Sequence, residues 1–287
     1  MNSLQGSTLA IFGPGLLGGS LLLDARASGA SALRVWARRD ESLAMVRQRG
    51  LADFTSTDAH DVAAGADLIV LCVPVGGMKA LAEQIVHAPL GQNAVITDVG
   101  SVKVPVLAGA GEVCRRAGIA FVGSHPMAGA ETAGLEAARP RLFDKAACIL
   151  TPDSGTDPSA LARVETFWQE LGCRTTCMDA ARHDALVARI SHLPHLAAVA
   201  VTLACFKPDP AMAQFAAGGL RDTTRVASGP PDMWREILSE NRAAILPALA
   251  DLHQATGELL EILAKGDDVQ LLARLQEARQ LRSTRYP

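Results

Sequence analysis

TLAIFGPGLLGGSLLLDARASG, residues 8–29, is the stretch that decides the fold. A short apolar run, residues 8–12, breaks into glycines and then into helix formers, the strand–turn–helix setting in which G-x-G-x-x-G acquires meaning. Gly13 permits a tight turn, Gly15 lets the backbone approach a pyrophosphate, and Gly18 lets helix and strand pack closely. The amides of the helix start, at Leu16 and Leu17, are left to bind the anion. A turn that merely packs would not need three glycines at this spacing, so the stretch predicts a dinucleotide site.

Working outward, residues 33–37 supply the second strand of a βαβ unit, ending in VWARRD, residues 35–40. A site for the cofactor without the 2′-phosphate carries an acid at this strand end to bind the ribose hydroxyls. Ala37 stands there instead, followed by Arg38 and Arg39. A guanidinium grips phosphate through charge-assisted hydrogen bonds of roughly 1.5 to 3 kcal/mol each. The pair therefore predicts NADP in preference to NAD, with NAD still possible. The competing reading makes both arginines solvated loop charges and has Asp40 cap the next helix while reaching the ribose.

DLIVLCV, residues 67–73, reads as a buried strand ended by Pro74, which places Val73 and Pro74 in a turn facing the cofactor. NAVITDV, residues 93–99, repeats the pattern and runs into Gly100-Ser101-Val102-Lys103. Ser101 either caps a helix over residues 102–116 or faces the same ligand. IAFVG, residues 119–123, predicts another strand, and GSHPMAGAE, residues 123–131, places His125 at its end, where open α/β sheets keep their ligands. Strands over residues 147–150 and 174–178 flank a helix over residues 158–171. Strand alternating with helix predicts an α/β class with a doubly wound, Rossmann-type parallel sheet over residues 1–178. From residue 179 the periodicity is helical throughout, so residues 179–287 form an all-helical second domain, of the kind that makes a dimer.

Composition narrows the function classes. The chain has 287 residues, 49% hydrophobic and 20% charged, with a formal net charge of −3. A slightly acidic chain without a Lys/Arg cluster is not built to neutralise a phosphate backbone, so nucleic acid is not an expected partner. The N-terminus lacks a basic region before an apolar segment, so no secretory signal is expected. The longest apolar stretch, residues 196–206, is shorter than the ~20 residues that cross a bilayer, so no membrane partner is expected. Six cysteines without a CxxC pair suit a reducing cytoplasm.

In the helical half, SHLPH (191–195), GGLRDTTR (218–225) and PPDMW (230–234) stand out. His192 and His195, with His183 as a third group, invite a metal reading. No cysteine or acidic cluster has matching spacing and Pro194 bends the segment, so no metal is expected. Core histidines, or a polar pocket for an anion with Arg225 beside it, fit the pattern better.

Taken together, GPGLLGGS, DVGSVK, GSHPMAGAE, SHLPH, GGLRDTTRVA, and PPDMW followed by Asn241 resemble the prephenate and arogenate (cyclohexadienyl) dehydrogenases of tyrosine biosynthesis, over essentially the whole length. The resemblance implies an oxidative decarboxylation of a dianionic cyclohexadienyl substrate, a small molecule, in which the ring becomes aromatic. It implies that His125 accepts the hydroxyl proton, Ser101 hydrogen-bonds the same region, Arg225 pairs with a substrate carboxylate, and His192 and His195 line the pocket. Glu131, Asp222 and Trp234 match positions at the pocket edge. A cytoplasmic homodimer is implied as well. These roles suit the chemistry: a neutral imidazole is matched to take a proton near pH 7, for roughly 10²- to 10⁴-fold in rate, and Arg holds its charge in a dry pocket better than Lys. Two other readings stay open. A β-hydroxyacid dehydrogenase would want a catalytic lysine in the helical half, where Lys207 and Lys265 sit in no matching motif. A non-catalytic NADP sensor would not need the histidines and Arg225.

Overall fold

Thr8–Phe12 forms strand β1, and its side chains alternate between the two faces of the sheet as a strand requires. Leu9 and Ile11 enter one apolar core with Leu33, Val35, Val70 and Phe143. Ala10 and Phe12 enter a second with Ile69, Leu71, Met78 and Ile85. A strand buried on both faces is what a helix-covered parallel sheet needs, and each such side chain contributes about 1.5 to 3 kcal/mol by burial. The computed structural model describes residues 4–130 and 132–284.

The remaining elements follow in chain order: α1 (Leu16–Ala27), β2 (Ala32–Trp36), α2 (Asp40–Gln48), β3 (Phe54–Ser56), α3 (Ala59–Ala63), β4 (Leu68–Leu71), α4 (Val75–Ile85) and β5 (Val95–Asp98). A helical stretch with a π turn at Leu107–Gly111 separates α5 (Val104–Val106) from α6 (Glu112–Arg116). Then come β6 (Ala120–Pro126), β7 (Ala147–Thr151), α7 (Pro158–Glu170) and β8 (Arg174–Cys177). The sheet order is β3-β2-β1-β4-β5-β6-β7-β8. The chain reverses direction across the sheet at β1, so the crevice beyond β1 and β4 is the switch point where such sheets bind ligands.

The sheet departs from all-parallel pairing at one place. β6 and β7 are antiparallel, with His125 opposite Ile149, while the other pairs, including β7 with β8, are parallel. Among the described residues no helix of ordinary length lies between β6 and β7, where a 3-10 turn at Leu135–Ala137 stands in place of the crossover that parallel pairing needs. The short edge strand β3 carries no periodic signal over its three residues and escapes the sequence reading.

A helical region follows: α8 (Ala180–Val187), a π turn (Ala188–His192), α9 (Leu193–Phe206), α10 (Gly218–Thr224), α11 (Pro231–Glu240), α12 (Arg242–Lys265) and α13 (Asp268–Ser283). Residues up to Asn241 form one compact unit and those from Arg242 a second. Helix α11 ends at Asn241, whose buried side chain is spent on hydrogen bonds within the first unit. The run Ala180–Phe206 is long and apolar enough to cross a membrane, as residues 196–206 alone are not. Its buried positions include His183, Asp184, His192 and His195, each of which makes at least one hydrogen bond within the first unit.

Candidate active site

The glycine loop is built as its spacing predicts. Gly13 has φ +107°, and a Cβ there would lie 2.7 Å from the Cys72 carbonyl oxygen at the end of β4. A Cβ on Gly18 would lie 2.1 Å from the Gly13 oxygen, so α1 sits directly on the loop. Gly15, the N-cap of α1, has open space where its Cβ would be. Only a bare backbone leaves such a cradle, and α1 presents it with the first-turn amides that no helix can satisfy internally. The side chains of Leu16 and Leu17 pack against the core, so these residues offer an anion their backbone alone.

The loop opens onto a cleft of about 840 Å³ lined by Gly13, Gly15, Arg38, Arg39, Val73 and Pro74 among others. Ala37 lies there too, with no acid at the strand end. Asp40 is the first residue of α2, not its cap, and its carboxylate pairs with Arg47 at 3.1 Å. Glu236 on α11 reaches the same cleft and accepts a hydrogen bond from Gly76 N at 2.7 Å, at the start of α4. The residues present fit a nicotinamide dinucleotide.

At the far end of β5 and β6 a polar network replaces the apolar core. Asp98 and Lys103 form an ion pair with both side chains fully buried. Asp98 also accepts from Gly100 N at 2.7 Å and Ser124 N at 3.0 Å, and Lys103 donates to the Ser124 carbonyl at 2.7 Å. A buried pair with its remaining hydrogen bonds made is tolerable where a bare one is not. Burial pulls Lys103 down from its ordinary value, against the opposing attraction of Asp98. The network ties the ends of the two strands together and fixes the backbone immediately before His125.

Ser124 faces this network, and strand alternation turns His125 the other way, onto α8. His125 Nδ1 lies 2.8 Å from His183 Nε2, and His183 Nδ1 lies 2.7 Å from the Asp184 carboxylate. That carboxylate also accepts from Lys103 N at 2.7 Å and Val104 N at 2.9 Å. Asp184 thus caps the helix that Ser101 is read as capping. Ser101 lies three residues before that helix and, among the described residues, makes no hydrogen bond to His125; His183 takes that place.

His192 joins the cluster because of the π turn. In an unbroken α-helix, positions 183 and 192 stand about half a turn apart at ~100° per residue. A π turn inserts one extra residue, rotating everything after it back toward the earlier face. Both rings are buried, and Asn241 joins their surroundings by donating through Nδ2 to the Asp184 carbonyl at 2.9 Å and to His192 Nδ1 at 3.1 Å. His195 stacks on Trp234 with centroids 3.6 Å apart and planes 9° from parallel, and it hydrogen-bonds the Val226 backbone. Its Nδ1 is buried without a partner among the described residues. Arg225 opens the turn that contains Val226.

Desolvation is the main cause of the shifts here. It pushes His125 well below the ordinary histidine value, helped by repulsion from His183, Lys103 and His192. Burial likewise takes His192 down to about 4 and lowers His195. These three imidazoles are neutral at pH 7.

The structure does not bring every expected residue together. Asp222 is exposed, its side chain beside that of Arg221 at 3.6 Å. Glu131 lies outside the described residues. His183, read from sequence only as a third group of a metal site, and Asp184, to which the sequence reading gives no role, are the main residues missed. They stand 58 residues or more from His125 in sequence, and nothing local marks them. Among the described residues no group of histidine, cysteine and acid side chains is arranged to hold a metal.

The sequence matches the family described as prephenate dehydrogenase, nucleotide-binding domain, over residues 26–177, and prephenate dehydrogenase, dimerization domain, over residues 179–277. It is 35% identical over 282 residues to a cyclohexadienyl dehydrogenase of Zymomonas mobilis, covering 96% of this chain and 94% of that one. It is 32% identical over 251 residues to a prephenate dehydrogenase of Bacillus subtilis, covering 86% and 67%. Among solved structures, prephenate dehydrogenase from A. aeolicus in complex with hydroxyphenyl propionate and NAD+ superposes with a TM-score of 0.88 at 29% identity, over 98% of each chain. Synechocystis arogenate dehydrogenase gives 0.79 at 30% identity over 96% and 99%. Fold, glycine cradle and both matched regions agree, and the chain belongs to the prephenate dehydrogenase family.

Proposed function

We propose that this chain oxidises and decarboxylates prephenate, arogenate or both, giving 4-hydroxyphenylpyruvate or tyrosine, with His125 as the general base. The observation that carries the reading is His125 itself: a buried, neutral imidazole at a strand end, in the same unit as the glycine cradle. The bound nicotinamide supplies the hydride acceptor. His125 takes the proton of the substrate hydroxyl, which makes the carbon beneath it a better hydride donor. The ring carboxylate leaves as carbon dioxide, its bonding electrons complete the aromatic ring, and the proton held on His125 returns to the phenolate oxygen. Arg225 pairs with a substrate carboxylate, while His192, His195 and Trp234 form the wall of the pocket. Ser101, Glu131 and Asp222 keep the peripheral polar roles that the family likeness suggests.

NADP is the preferred cofactor on this reading, supported by Arg38 and Arg39 in the cleft and by Ala37 where an acid would repel a 2′-phosphate. We divide the work near residues 178 and 179, the first part holding cofactor and the second supplying substrate contacts and a homodimer interface. The exposed Leu246, Leu260 and Leu263 of α12, and Leu272 and Leu275 of α13, support the interface. All six cysteines are free, which suits the cytoplasm.

The test is purified protein mixed with prephenate or arogenate and either cofactor, followed by nicotinamide absorbance. Reduction in at least one of the four pairings is expected, and none would overturn the activity. His125→Asn should keep cofactor affinity and lose turnover by roughly 10²- to 10⁴-fold. Undiminished turnover would remove the base assignment.

A further inference from the structure

The contact between His125 and His183 settles which nitrogen of the base is free, provided the partner's protons are followed outward. The Asp184 carboxylate can only accept, and it takes three donors: Lys103 N, Val104 N and His183 Nδ1. His183 Nδ1 therefore carries a proton. With one proton on the ring, held at Nδ1, His183 Nε2 is a lone pair, able only to accept. Facing it at 2.8 Å, His125 Nδ1 must be the donor. A neutral His125 has one proton, so its Nε2 is left as the basic nitrogen.

We propose that His183 and Asp184 are positioning residues: they lock His125 in the Nδ1-protonated tautomer and support the imidazolium that forms when Nε2 takes the hydroxyl proton. The inference rests on His125 being the base. In the step, the substrate O–H bond breaks, its electron pair stays on oxygen, and an N–H bond forms at Nε2. The Nδ1–H remains bonded to His183, whose own Nδ1–H points the chain of dipoles toward a full negative charge. Orientation of an imidazole by a carboxylate behind it is a general device for fixing tautomer and geometry. The carboxylate is itself held by two backbone amides of the segment that follows Ser101, so the base is referenced to two separate elements, β6 and α5, through α8.

A packing or capping role alone would place the same residues here, and three variants separate the two. In Asp184→Asn the oxygen that accepts from both Lys103 N and His183 Nδ1 is kept and the amide nitrogen replaces the oxygen facing Val104 N, so the tautomers hold while the negative charge behind His183 is lost. Turnover should fall roughly 10- to 100-fold, while cofactor affinity holds. Because Asp184 also caps a helix, that variant alone is not relied on. His183→Gln keeps an acceptor for His125 Nδ1 and His183→Leu does not, at similar volume. Gln should retain kcat roughly tenfold or more above Leu, with KM little changed in both. ¹⁵N-histidine NMR of the full chain reads the tautomer directly, with His125 assigned by difference from His125→Asn. A protonated Nδ1 and bare Nε2 are expected at His125 in the parent protein.

A His125 protonated at Nε2 in the parent protein, or equal kcat for His183→Gln and His183→Leu, would overturn the proposal while leaving the base assignment standing. Retained turnover in His125→Asn would instead remove the base, and this inference with it.

Discussion

Replacing Asn241 with alanine should unfold the polar cluster more than its single side chain suggests. Asn241 is 4% exposed and donates to the Asp184 carbonyl and to His192 Nδ1. Alanine leaves His192 Nδ1 buried without a donor, while the Asp184 carbonyl keeps the Ala188 amide, and such an orphan costs about 1 to 3 kcal/mol. At about 2 to 4 °C per kcal/mol for a chain of this size the first unit should melt roughly 2 to 12 °C lower. Thermal unfolding followed by Trp168 fluorescence, with the other tryptophans replaced by phenylalanine in both backgrounds, measures this. Asn241→Asp sharpens the test, because it sets carboxylate oxygen against the Asp184 carbonyl and the His192 lone pair. That conflict is relieved when His192 is protonated. The parent His192 value of about 4, against 6.5 for a free histidine, means that the unfolded state binds more protons between those values. Parent stability from this group is therefore full above pH 6.5 and declines toward pH 4, by about 3 kcal/mol in all. Asn241→Asp should lose less on acidification than the parent does. A melting point within about 2 °C of the parent for Asn241→Ala, or parallel pH profiles for Asn241→Asp and parent, would refute the assignment of Asn241 as donor to a neutral His192.

Three further outcomes follow from the geometry. Gly18→Ala should both destabilise the chain and abolish cofactor binding, since its Cβ meets the Gly13 oxygen at 2.1 Å, whereas Gly15→Ala, with open space around it, should keep its melting point and lose cofactor affinity alone; equal melting points in the two would argue against the cradle. Arg38→Glu should raise the NADP KM by roughly 10- to 100-fold, the loss of a charge-assisted contact of about 1.5 to 3 kcal/mol, and leave that for NAD little changed in steady-state kinetics; equal effects on both cofactors would sink the NADP preference. The acidic limb of kcat/KM should lie well below pH 6.5, because burial depresses His125 in the free enzyme and its neutral form is the active one; a limb at or above 6.5 in a steady-state pH series would point to another base.

Much of the scaffold is legible in the chain because it rests on local rules. Apolar runs of strand length, glycines at 13, 15 and 18, and Pro74 after a buried strand each act within a few residues of themselves. The antiparallel joining of β6 to β7 is less legible: it depends on the connection between them showing, among the described residues, a 3-10 turn and no crossover helix, and composition does not announce that. The π turn at Ala188–His192 is similar, since one inserted residue leaves no periodic trace yet changes which side chains share a face.

For the site, sequence alone determined the cradle, the strand that carries His125, and the histidines and arginine proposed to meet the substrate, because each is written in a contiguous motif. Only the tertiary structure decided what His125 touches. Its partner is His183 and not Ser101, its helix-capping carboxylate is Asp184, and its neutrality comes from burial among Lys103, His183 and His192. Those are pairings between residues tens of positions apart, fixed by how α8 meets β6 and the start of α5. The physical reason is that hydrogen bonds and desolvation depend on distance in space, while motif spacing measures distance along the chain.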